Sequence, residues 1–497
     1  MAQALLHRNE GALLLFVCGL VIARFAALSI LDLALFYDEA YYHFWSQDLA
    51  FGYYSKPPVV AWLIALTTTL AGHVSEWSVR IAAPTMYALT GFIVYLIGQQ
   101  LKGKRVGVVA VAVFLSTPLV TFNSLFITTD APLLFFWALT TYVYLIALEQ
   151  NRTSLWVLCG VLGGVGLLSK YTMGLLAIGL LAHLSLCYRD RLKTPGPWLA
   201  AVSAFAVFST NLAWNYRHDF ISFQHTSEIS QLSGSLFHPD QFLEFFLGQF
   251  LVFGPVVMWL FLLVLIRRPY SQADKCLLMI TLPLLFLIGI QALLSRAHVN
   301  WAAPVYIGAS VWVASYIEAN AKRVLLLWAL GLNLAIAGTF YAYPSIQQLV
   351  GIEATKSNTP FKRVSGWREL FQKVESVSVH EDATWISDSR KLLSYAHFYL
   401  SDFESGKRLT VASFNPSGEV SNHFDLLFSI PRAADPNTDY VFLSEGPREF
   451  EGCFETVALA DRFRHEVFPT LSRGYKKTIW HSRCLLKIRI RSQRRRP

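Results

Sequence analysis

Apolar residues along this chain gather in long unbroken runs rather than at the period of an amphipathic helix or strand. The runs fall at 11–31, 81–100, 106–122, 131–148, 155–168, 171–187, 198–213, 246–266, 277–294, 300–317 and 323–343. A stretch of ~20 apolar residues is what the hydrocarbon core of a bilayer asks of a crossing helix. The pattern therefore predicts about eleven spans, several of them short. The first run is long for a signal peptide and no small-residue cleavage site follows it, so it reads as a retained first span. A further apolar stretch at 58–71 begins beside Pro57-Pro58 and is too short to cross; it predicts an interfacial or juxtamembrane helix.

From about Pro344 the pattern changes to short alternating stretches, among them Thr384-Trp385-Ile386-Ser387, Leu409-Thr410-Val411 and Tyr440-Val441-Phe442-Leu443. Such stretches predict strands. Two domains follow: a membrane domain over 1–343, with a large first outer loop at 32–80, and a smaller mixed α/β domain over 344–497. The tail is long enough to bury a core of its own.

Composition agrees, with 54% hydrophobic and 15% charged residues among 497. Soluble domains carry about 25% charged residues. The net charge of +9 does not point to nucleic acid, because no reading module accompanies it. Four of the six cysteines, Cys18, Cys159, Cys187 and Cys276, lie in or beside apolar runs, where they act as small hydrophobes. Cys453 and Cys484 lie in the polar tail and are candidates for a bridge if that tail is extracytoplasmic.

Charge orients the chain. Lys102, Lys104 and Arg105; Arg152; Arg189, Arg191 and Lys193; Arg267, Arg268 and Lys275; and Lys322 and Arg323 occupy alternate loops. The positive-inside rule makes those loops cytoplasmic, together with the N-terminus that carries His7 and Arg8. The loops at 32–80, 123–130, 169–170, 214–245 and 295–299, and the tail, are then on the outer face. Arg489, Arg491, Arg494, Arg495 and Arg496 at the end of the tail suit anionic headgroups.

That orientation, taken from basic loops alone, gathers Asp38, Glu39, Lys56, Asp130, Lys170 and His298 on one side. Ionisable groups at membrane depth are costly and mark functional sites. Lysines neutralise phosphate as point charges, and a carboxylate can orient or deprotonate an attacking hydroxyl. Each residue also has a plainer role. Asp38-Glu39 suits a helix N-terminus. Asp130 before Pro132 suits an N-cap. Lys170 suits a headgroup-seeking side chain, and Trp301 an interfacial belt.

The segments Tyr37-Asp38-Glu39-Ala40-Tyr41-Tyr42, Ser55-Lys56-Pro57-Pro58, Trp77-Ser78-Val79-Arg80-Ile81, Thr129-Asp130-Ala131-Pro132, Ser169-Lys170 and His298-Val299-Asn300-Trp301 resemble the polyprenyl-phosphate-sugar-dependent glycosyltransferases of the C-type membrane fold. That superfamily includes protein O-mannosyltransferases and the lipid A aminoarabinose and galacturonosyl transferases. The likeness covers the first 200 residues and is weaker to about 343. It implies an all-α polytopic domain of about 11–13 transmembrane helices. It also implies catalytic roles for Asp38, Glu39 and Asp130, with Lys56, Lys170, Tyr41, Arg80, His298 and Asn300 binding substrate. Aminoarabinose transferases carry a metal-binding glutamate just before the lysine that matches Lys56. Here that position is Ser55, so no metal site is assigned and the cofactor stays open, with a divalent cation as the candidate.

The resulting expectation is an inverting transferase of the cell inner membrane. It would use a polyprenyl-phosphate sugar and an envelope glycan or lipid acceptor, among membrane lipids, with no nucleic-acid partner. A flippase or transporter of a lipid-linked sugar is the alternative class, and protein is the alternative acceptor. A transporter is disfavoured because its polar sites belong at the midplane between repeated halves.

Overall fold

The computed structural model describes residues 2–230, 237–267, 270–353, 355, 357–377, 383–415, 417–430, 439–445, 456–464 and 482–489. Cys453 and the basic tail from Arg491 lie outside the described residues. Packing divides the chain into two units. The first comprises Met1–Ile30, Ala50–Val60 and Arg80–Tyr341, the second Leu31–Leu49, Ala61–Val79 and Ala342–Pro497.

The first unit is helical. Among the described residues, six helices are long and apolar enough to cross a bilayer: Glu10–Ile30, Glu76–Lys102, Asp130–Gln150, Pro195–Arg217, Gln272–Leu294 and Arg323–Val350. Thr153–Ser169, Tyr171–Cys187 and Val305–Ala319 are shorter apolar helices of the same unit. Several present apolar sides outward, with Leu15, Ile22, Phe205, Phe286 and Leu327 all exposed. A belt of that kind suits lipid, not water. The chain is a multi-pass membrane protein.

Two runs expected as single spans are broken. The 246–266 run is a pair of helices, Pro239–Phe253 and Pro255–Ile266, bent by 113°. The cause lies in the sequence: Gly254 adopts φ +96°, a region open to glycine, and Pro255 has no N–H to continue the ladder. The 106–122 run stops at Ser116 and restarts at Pro118, where the Thr117 hydroxyl accepts from the Val120 N–H. Conversely, the last helix runs past Tyr343 to Val350 with Pro344 inside it.

Close helix contact in lipid relies on small residues. A Cβ on Gly160 would come within 2.1 Å of the Ala200 carbonyl, and one on Gly164 within 2.6 Å of Val207. The Thr153–Ser169 and Pro195–Arg217 helices therefore meet backbone to backbone. The Lys104–Ser116 helix is buried on all sides from Val106 onward, as a fully apolar helix must be.

The second unit holds a six-stranded sheet. Its strands are β1 (Thr384–Ser387), β2 (Val411–Phe414), β3 (Ser429–Ile430), β4 (Asp439–Ser444), β5 (Thr456–Arg464) and β6 (Ser482–Arg489), in the order β3-β2-β1-β4-β6-β5. The first four run parallel, and β6 pairs antiparallel with both β4 and β5. Parallel neighbours need a crossover, and the Arg390–Leu400 helix supplies it between β1 and β2. Ile386, Ala412, Ile430, Tyr440 and Phe442 form the core of the sheet. The expected strand at 409–411 begins only at Val411. The Tyr37–Ser46 helix belongs to this unit and packs along the Arg390–Leu400 helix.

Candidate active site

In the first unit Asp130 opens the Asp130–Gln150 helix and is 3% exposed. Lys170 sits where the Thr153–Ser169 helix ends, in extended backbone before the 3-10 turn Tyr171–Met173. Its Nζ donates to Asp130 Oδ1 at 2.6 Å. Asn300, in the 3-10 turn Val299–Ala302, donates from Nδ2 to Asp130 Oδ2 at 2.8 Å. Each oxygen of the buried carboxylate thus has its own donor. A carboxylate taken out of water needs such partners.

A second asparagine fastens two loops. Asn211, fully buried in the Pro195–Arg217 helix, donates to the Phe51 carbonyl at 2.7 Å and accepts from the Tyr171 hydroxyl at 3.1 Å. It ties the turn that follows Lys170 to the loop that leads into Lys56. That loop is further held where the Tyr53 N–H donates to the Lys56 carbonyl at 3.1 Å and Ser222 Oγ donates to the Tyr53 carbonyl at 2.6 Å. Gly52 makes this close approach possible, since a Cβ there would meet the Trp214 ring at 2.4 Å. Lys56 itself is half-buried.

Arg80 is 3% exposed, with its guanidinium 5.3 Å from the centre of the Phe126 ring. His298 is exposed and stands edge-on to Trp301 at 5.3 Å.

In the second unit Asp38 and Glu39 behave differently. Glu39 is 1% exposed and its Oε2 accepts from the Phe36 N–H at 2.8 Å, closing the N-terminus of its own helix. The Asp38 side chain is 32% exposed and lies 4.0 Å from Arg390 Nη2. The Arg390 guanidinium lies over the rings of Tyr37, at 5.8 Å, and Tyr41, at 5.5 Å. Burial works against its charge, but Asp38 and the tyrosines Tyr41, Tyr37 and Tyr42 together hold it above the usual arginine value. Tyr41 is buried, and its hydroxyl accepts from the His423 N–H.

Sequence reasoning singled out Asp130, Lys170 and Asn300, and these meet. It missed Asn211, although a buried asparagine inside an apolar run was a usable signal. It also missed Arg390, which reads as an ordinary helix-opening residue. Both Asp130 oxygens accept from nitrogen donors, and among the described residues no group of three His, Cys, Asp or Glu is placed to hold a metal ion.

Residues 55–214 match the family model described as dolichyl-phosphate-mannose-protein mannosyltransferase. The lipid A galacturonosyltransferase RgtD of Rhizobium johnstonii is 28% identical over 444 residues, spanning 87% of this chain and 90% of that protein. The lipopolysaccharide core galacturonosyltransferase RgtA of the same organism is 27% identical over 167 residues, covering 32% of this chain and 33% of that protein. The crystal structure of ArnT from Cupriavidus metallidurans bound to undecaprenyl phosphate superposes with a TM-score of 0.62 at 13% identity, over 97% of this chain and 98% of that one. That last likeness is one of fold.

Fold, matched family model and relatives together define a membrane glycosyltransferase of the C-type fold. Within that class the chain is similar, over most of its length, to a lipid A galacturonosyltransferase.

Proposed function

We propose that the protein transfers a uronic acid, of the galacturonate type, from polyprenyl phosphate to lipid A, with inversion, on the outer face of the cell inner membrane. The observation that carries this reading is the buried Asp130–Lys170 pair at the heads of apolar helices, in a chain similar over nine-tenths of its relative's length to a lipid A galacturonosyltransferase. The acceptor hydroxyl attacks the anomeric carbon as the bond from that carbon to the phosphate oxygen breaks. Asp38 takes the hydroxyl proton. The polyprenyl phosphate departs with the bonding pair and needs no acid, because a phosphate is already a good leaving group. Lys56 and Lys170 offset the charge that grows on it. Asp130 holds Lys170 in place. Substrate-binding roles are proposed for Arg80, Tyr41, His298 and Asn300.

Purified protein in proteoliposomes, given undecaprenyl-phosphate-linked galacturonate and lipid A, is expected to form uronosylated lipid A. The Asp38→Asn variant is expected to form none while keeping its expression and folding. Full activity in that variant, or movement of the donor across the vesicle without a covalent product, would end the assignment.

A further inference from the structure

We infer that Arg390 is a positioning residue for Asp38, holding that carboxylate oriented and ionised as the proton acceptor. The inference rests on the role proposed above for Asp38. Its basis is the geometry of the second unit. Arg390 opens the Arg390–Leu400 helix, which lies along the helix that carries Asp38. The guanidinium is held by the faces of two tyrosines, Tyr37 and Tyr41, and aromatic faces attract such a cation. Tyr41 is anchored in turn by the His423 N–H and by its packing on Trp45 and Phe424. The positive charge is therefore held by aromatic contacts as well as by Asp38. At 4.0 Å it acts on the carboxylate while a third of that side chain stays exposed. A catalytic base needs that combination: a neighbour that favours its charged form, at a distance that leaves the acid accessible.

The neighbouring acid is excluded from the role, since Glu39 is buried and closes its own helix. Other ionisable groups surround the pair. Tyr42, Glu39 and His43 stand on the Asp38 helix. Arg363 acts on Tyr37 from the turn before the Trp367–Val377 helix. On the Arg390 helix, Lys391 is paired with Glu445, and His397 is buried. All of these residues remain in the chain when Arg390 alone is replaced.

The test is the pH dependence of kcat/KM for full-length protein in proteoliposomes, with undecaprenyl-phosphate-linked galacturonate and lipid A. Removing the guanidinium takes away a neighbouring charge that favours the carboxylate form, so the acid limb of the profile moves to higher pH. Arg390→Gln is expected to shift that limb upward by about one pH unit. It should also lower kcat about tenfold or more at neutral pH, with KM for the donor nearly unchanged. Arg390→Lys keeps the charge and is expected to bring the limb most of the way back, even if the lost ring contacts cost stability. An unmoved limb in Arg390→Gln, or an effect confined to KM, overturns the inference. If Asp38→Asn is inactive while Arg390→Gln leaves the limb in place, only the role of Arg390 fails. If Asp38→Asn keeps full activity, the reading of Asp38 fails and this inference falls with it.

Discussion

Lys170 Nζ and Asp130 Oδ1, forty residues apart in the chain, meet at 2.6 Å with only 5% of the aspartate side chain exposed. Breaking a buried pair by removing one partner is far more costly than removing both, because a lone charge is left out of water. Lys170→Met is therefore expected to destabilise the protein by about 3 kcal/mol and to abolish transfer. The double variant Lys170→Met/Asp130→Asn should regain much of the stability but no activity. Thermal unfolding in detergent, run as a double-mutant cycle, checks this; additive single effects would contradict it.

Asn300 supplies the other donor to Asp130, at 2.8 Å. Asn300→Ala leaves one carboxylate oxygen without this partner and is expected to cost about 1–3 kcal/mol. Asn300→Asp should be worse, since it sets a second negative charge against the first. Wild-type activity in Asn300→Asp would show that this contact is dispensable.

Asn211 bonds both the Phe51 carbonyl and the Tyr171 hydroxyl. Asn211→Leu keeps the side-chain bulk and removes both bonds. It is expected to loosen the loops beside Lys56 and Lys170 together and to raise KM for the donor about tenfold, with a smaller change in kcat. Steady-state kinetics at varied donor concentration would detect the split.

His43 and His397 face each other at 6.2 Å in the second unit, with Phe398 and Phe403 against His43 and Gln47 Nε2 at 3.2 Å from its Nε2. Burial pushes the His397 pKa down to about 4, with Arg408 adding to the effect. Burial, then His397 and Arg408, hold His43 well below 6.5. A histidine kept neutral by the fold binds its proton more readily once unfolded. Stability from both residues is therefore complete above pH 6.5 and falls as pH drops from 6.5 toward 4. Thermal midpoints across that range should decline in wild type and decline less in His397→Phe. Equal slopes would rule out this source.

Much of the membrane fold was legible because lipid imposes a simple rule: an apolar run of sufficient length becomes a helix. The runs at 131–148, 198–213 and 277–294 each lie within one long helix. The breaks at Gly254-Pro255 and Thr117-Pro118 were also written in the chain, as glycine and proline chemistry, yet run length alone passes over them. In the tail, alternation located β1 and β4, while the start of β2 was set by pairing Val411 with Trp385.

The residue types at the candidate site, and their placement in loops between apolar runs, were determined by the sequence alone. Ionisable groups cannot sit in hydrocarbon without a reason, and that constraint needs no coordinates. Only the tertiary structure decided which of them meet. Lys170 and Asn300 share Asp130, Glu39 turns back to cap its own helix, and Arg390 arrives beside Asp38 from about 350 residues away. Such choices depend on the directions in which packed helices present their side chains, and those directions are set by contacts between distant segments.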